Sequence, residues 1–173
     1  LSRSHPHCLA CRQQFLATDR RAKLQNEAVY VLSHISKQLT RAIGDVNNPP
    51  VVFTYASGMT SVIRAKIDAT PDGLLNFAND ANVSYCYNST GCNNPAVPYT
   101  IYFNSNISAS PVPASEILAR HVKFFSATQS GNCVTVNVVT CWDPAESSQA
   151  CGSLDNPAFN MTNSLSMPSV SVQ

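Results

Sequence analysis

The sequence predicts an α+β fold: one long N-terminal amphipathic helix packed on an antiparallel β-sheet, with disulfide-stapled loops. Three observations carry it. Leu24, Ala28, Leu32, Ile35, Leu39 and Ile43 recur every three or four residues, so they line one face of a helix. Past Pro50 the chain is poor in charge and rich in Thr, Ser, Asn, Val and Pro, with short runs that alternate apolar and polar side chains. Seven cysteines are present, and the loop cysteines bracket segments containing Gly, Asn and Pro rather than lying in apolar runs.

The helix is expected over 16–44. Arg20, Arg21, Lys23, Asn26, Glu27, Ser33, Lys37 and Arg41 fall mostly off the apolar stripe, where water solvates them. Gly44 can take the left-handed conformation that closes a helix, and Asn47-Asn48-Pro49-Pro50 prevents continuation. Strands follow at Val51–Tyr55, Ser61–Ala69, Val83–Tyr87, Tyr99–Phe103, Ile117–Ala127, Cys133–Thr140 and through Phe159, Met161, Leu165 and Met167. In Ser61–Ala69 the residues Ile63, Ala65, Ile67 and Ala69 alternate with Arg64, Lys66 and Asp68, the period of a half-buried strand. Thr70-Pro71-Asp72-Gly73 reads as a turn, and Gln129-Ser130-Gly131-Asn132 as a hairpin connection. Asn76–Tyr99 and Asn104–Pro113, rich in Asn, Ser and Pro, read as surface loops. The domain reading is a segment of uncertain origin over 1–15 and one domain over 16–173, with its β-region at 51–173.

Composition narrows the function classes. Charged residues make up only 12% of the chain and the net charge is +1, so no strong field draws nucleic acid or an anionic surface. Cys86 with Cys92, and Cys141 with Cys151, bracket short polar segments that suit disulfide-closed loops; Cys133 with Cys141 is the alternative across a hairpin. Paired cysteines place the chain in the periplasm or outside the cell, and the odd count leaves at least one thiol over. His5-Pro6-His7-Cys8-Leu9-Ala10-Cys11 is a weak metal candidate through its two imidazoles and two thiols; Arg12, standing directly after Cys11, excludes a covalent c-type haem site. No other cofactor is expected. His34 and His121 lack a Ser, Cys or carboxylate at triad spacing, so neither marks a catalytic site, and the chain reads as a non-enzyme. Tyr55, Tyr85, Tyr87, Tyr99 and Tyr102 cluster around the middle strands, where aromatic residues serve packing or, if exposed, contacts to sugar or protein.

The helix phrase, LQNEAVYVLSHISKQLTRAIGD, resembles the C-terminal half of the long helix in minor type IV pilins of the PilW type and in J-type pseudopilins of type II secretion. The shared pattern is a charged cluster, Leu-Gln-x-Glu, then an aliphatic stripe ending in Arg-x-Ala/Ile-Gly. Ile117–Val122 and Cys133–Thr140 are similar to the paired strands of those proteins, and Met161–Leu165 with Met167–Val170 to their closing strand. The likeness implies a pilin-like fold. It further implies a subunit that joins other pilin or pseudopilin subunits near the tip of a bacterial envelope filament, periplasmic or extracellular. Its assembly contacts would be Asp19, Arg20, Arg21 and Glu27. A pilin precursor also carries about twenty apolar residues that anchor it in the inner membrane before assembly. This sequence opens Leu1-Ser2-Arg3-Ser4 and holds no such run, so either the anchor was removed or the protein lacks it. The competing reading is a secreted, disulfide-containing module that binds a carbohydrate or a surface protein through its Asn/Tyr-rich loops.

Overall fold

The computed structural model describes residues 6–45, 47–69, 80–88, 97–107 and 115–167, with side chains from residue 11 onward. Among these residues one helix, α1 (Pro6–Leu39), is followed by eight strands: β1 (Val51–Ala56), β2 (Met59–Ile67), β3 (Ala81–Tyr87), β4 (Ile101–Asn104), β5 (Glu116–Ala119), β6 (Val122–Ser130), β7 (Cys133–Cys141) and β8 (Ala158–Ser166). They form two antiparallel sheets, β1-β2-β3-β4-β5 and β6-β7-β8. This overturns the expected fold class. Among the described residues the fold is largely β with one helix and two sheets, and it is not a pilin fold of one helix on one sheet.

The break between the sheets explains the misreading. Ile117–Ala127 reads as one strand because its apolar residues run on, but the chain leaves the first sheet at Ala119 and enters the second at Val122. Arg120 and His121 make the passage. The sheets are then stitched by side chains: the Ala127 N–H donates to Thr60 Oγ1 at 2.7 Å, and the Tyr55 hydroxyl donates to the Ala127 carbonyl at 3.0 Å. The Tyr87 hydroxyl lies 3.0 Å from the carbonyl oxygens of both Val122 and Lys123. Its burial, the largest influence, pushes the Tyr87 pKa up to about 12, so it stays a donor.

α1 starts ten residues before the expected 16 and stops five before the expected 44. Its end is set by tertiary pairing and not by Gly44. Arg41 and Ala42 N–H groups bond three residues back, to Gln38 and Leu39, tightening the last turn. Ala42 then bridges Ile67, and the Ile43 N–H donates to the Lys66 carbonyl at 2.9 Å. Gly44 is not among the residues at positive φ. Its role is close approach: a Cβ there would meet the Asn48 carbonyl oxygen and stand 2.5 Å from the Pro50 nitrogen.

One apolar core joins the helix to both sheets. Leu24, Ala28, Leu32, Ile35 and Leu39 are buried, with Val31 beside them. Ile63, Ala65 and Ile67 of β2 and Val134, Val136 and Val138 of β7, spaced two apart on one face of each strand, supply the facing layers. The β6–β7 turn places Gly131 at φ 56° between the paired residues Ser130 and Cys133. The turn expected at 70–73 lies outside the described residues, as do 76–79, 89–96 and 108–113 of the loops expected at 76–99 and 104–113; within the first of these loops, Ala81–Tyr87 is strand β3.

Candidate functional site

The helix is fastened to the domain along its C-terminal part and freed along its N-terminal part, and one cluster marks the boundary. Glu27 points from the helix to the passage between the sheets. Its Oε1 is 2.7 Å from His121 Nδ1, and its Oε2 accepts the Arg120 and His121 N–H groups, each at 3.3 Å. These two N–H groups sit where neither sheet can pair them, so the carboxylate meets an unfilled need. The His121 ring stacks on Trp142, with centroids 5.5 Å apart and planes 7° from parallel. Lys23 and Arg20, one and two turns toward the helix start, lie 5.7 Å and 5.0 Å from the same indole centroid. Arg20 also donates to the Asp155 carbonyl at 2.8 Å.

Trp142 is held by a rigid loop. It follows Cys141, which is bonded to Cys151 across a Cα–Cα distance of 5.7 Å. Asn156, 1% exposed, organises the segment between them. Its Oδ1 accepts the Asp143 N–H at 2.8 Å, and its Nδ2 donates to the carbonyls of Asp143 and Gln149, both at 3.0 Å. The buried Thr140 hydroxyl donates to the Leu24 carbonyl at 3.2 Å, tying β7 to the first buried turn of the helix.

Toward the N-terminus from Arg20 the helix leaves its own core. Fourteen residues precede Arg20 in α1, a rod of about 21 Å at 1.5 Å per residue. Phe15 is 74% exposed and Leu16 43%. A cleft of about 490 Å³ runs between this rod and the end of the disulfide loop, bordered by Gln14, Thr18 and Arg21 on one side and Gly152, Leu154 and Pro157 on the other.

The residues expected to make assembly contacts divide. Arg20 and Glu27 are engaged within the chain, on Trp142 and His121. Asp19 pairs with Lys23 at 3.4 Å on the surface, and Arg21 is exposed on the cleft. Of the disulfide candidates, Cys141 and Cys151 are joined, whereas Cys133 is a free, exposed thiol. Cys133 and Cys141 are the two ends of β7; a nine-residue strand holds them about 26 Å apart, beyond any bridge. Cys86 is disulfide-bonded, but Cys92 lies outside the described residues, so the Cys86–Cys92 pairing does too. His5 and the side chains of His7 and Cys8 also fall outside them, and Cys11 is a free, exposed thiol. Among the described residues no group of three His, Cys, Asp or Glu side chains is placed to hold a metal. Tyr85, Tyr87 and Tyr102 are buried in the domain, whereas Tyr55 is exposed and Tyr99 is partly exposed, with Lys123 Nζ 5.5 Å from its ring.

Sequence reasoning missed Trp142, Asn156 and Phe15. Phe15-Leu16 carries a signal, since it is an apolar pair inside the polar run Arg12–Lys23. Trp142 carries a weaker one, its place directly after a cysteine. Compared with known proteins, the chain matches no family model, no curated sequence and no solved structure. No helix among the described residues is long and apolar enough to cross a membrane.

Proposed function

We propose that this protein is a structural subunit of an envelope assembly, acting by docking to other subunits through the free N-terminal half of α1 and not by catalysis. The exposure of Phe15 and Leu16 on the N-terminal half of α1 carries this reading. Isolated apolar residues are common on surfaces, but an adjacent pair on a half-helix outside the core is the pattern of a contact completed elsewhere. The Glu27–His121–Trp142 cluster supports it by fixing the direction in which the rod leaves the domain, which lowers the ordering cost of docking. The Cys141–Cys151 disulfide supports an oxidising compartment. The likeness of the helix phrase to minor pilins and pseudopilins suggests the kind of assembly, a pilus or secretion filament, with pilin-type subunits as partners. That likeness rests on the helix and not on the fold class.

The test is affinity capture of the tagged chain from its own cell envelope. Phe15→Glu should keep the fold and lose the co-purifying subunits and the filaments. Undiminished partner recovery and filament number would instead favour a binding module working through its loops.

A further inference from the structure

The free half-helix carries a short sequence with two-fold character: Arg12-Gln-Gln-Phe15-Leu16-Ala-Thr-Asp19. Positions 12, 15, 16 and 19 are three and four apart, so they share one face of α1. Phe15 and Leu16 sit at its centre and are exposed, with Arg12 and Asp19 exposed at either end. The apolar pair is thus flanked, three residues away on each side, by opposite charges.

We propose that this face binds a second copy of the same chain, with the two helices antiparallel about a two-fold axis between Phe15 and Leu16. The inference rests on the assembly reading and names one partner for it. The axis sets Phe15 of each copy against Leu16 of the other, and Arg12 of each against Asp19 of the other. An isologous contact requires such self-complementarity. A parallel pairing would set Arg12 against Arg12 and Asp19 against Asp19, which repel, so charge selects the antiparallel form. Asp19 is available for this exchange: its pair with Lys23 leaves the two side chains 52% and 61% exposed, and such surface pairs contribute little.

The contact is small, so the dimer should be weak and salt-sensitive. Sedimentation equilibrium of the full chain, with the free thiols of Cys11 and Cys133 alkylated, should show twice the 18.7 kDa chain mass at high concentration and dissociation on dilution. Phe15→Glu should be monomeric with an unchanged melting temperature. Arg12→Asp and Asp19→Arg should each weaken association by about tenfold or more, and the double swap R12D/D19R should restore it. A parent chain that stays monomeric, or a double swap no better than the single variants, overturns the proposal. A monomeric chain that still captures other subunits through Phe15 overturns self-pairing and leaves the assembly reading standing. A dimeric chain whose F15E variant captures other subunits normally overturns the assembly reading and leaves self-pairing standing.

Discussion

Glu27 and His121, 94 positions apart in sequence, meet at 2.7 Å between Oε1 and Nδ1, and the same carboxylate accepts the two backbone N–H groups at the passage between the sheets. One helix side chain thus satisfies the point where the chain changes sheets. It also sets His121 beneath Trp142, which in turn faces Arg20 and Lys23. The direction of the free half-helix therefore depends on the same residue that stabilises the sheet switch.

Glu27→Ala should leave those N–H groups short of an acceptor and His121 without its partner. The expected cost is about 1–3 kcal/mol, at about 2–4 °C of melting temperature per kcal/mol. Glu27→Gln keeps one acceptor oxygen and should cost less. Thermal melts followed by circular dichroism decide it; identical melting of the parent and the alanine variant would show that the contact adds nothing.

The fold was readable where burial follows a local period. The stripe from Leu24 to Leu39 and the alternation of Ile63, Ala65 and Ile67 are written in spacing alone, and both face the core. The sheet break was not readable, because Ile117–Ala127 shows unbroken strand character and the groups that hold the passage at Arg120-His121, Glu27 among them, are distant in sequence. The early helix start at Pro6 was obscured by the polar run Arg12–Lys23, which carries no fully buried residue. The helix end was obscured by Gly44, whose missing side chain serves the approach of Asn48 and Pro50 and not a cap. The boundary cluster joins α1, the sheet passage and the disulfide loop, and no spacing rule links such distant residues.

Removing the Cys141–Cys151 bridge should loosen the loop that presents Trp142. Replacing both cysteines by serine should cost about 2–3 kcal/mol on the loop-entropy estimate and shift the fluorescence of the single tryptophan toward that of exposed indole. Non-reducing peptide mapping should find Cys141 linked to Cys151, with Cys11 and Cys133 alkylated in the native protein. A Cys133–Cys141 peptide would contradict the strand assignment.

His34 gives the protein a pH dependence of defined sign. Its Nδ1 is 3.0 Å from the Tyr85 hydroxyl and its ring centroid 4.5 Å from that of Phe103. Burial, the largest influence, lowers its pKa below the usual 6.5; nearby Glu116 opposes this and Lys37 adds to it. The unfolded chain therefore takes up this proton more readily than the native one, and native stability rises with pH over that range. The contribution is present above about pH 6.5 and is lost as pH falls through the lowered native value. Between pH 7.5 and pH 5 the parent should lose more melting temperature than His34→Gln. Parallel profiles for the two proteins would remove His34 from the account.

The central claim is that the free half of α1 is a docking surface, and Phe15, 74% exposed, is its most direct probe. The deciding measurement is recovery of envelope subunits with tagged parent and Phe15→Glu chains, paired with a melt of each. Equal melting temperatures with loss of the co-purifying subunits in the variant is the result this structure leads us to expect. Equal melting temperatures with equal recovery would contradict it.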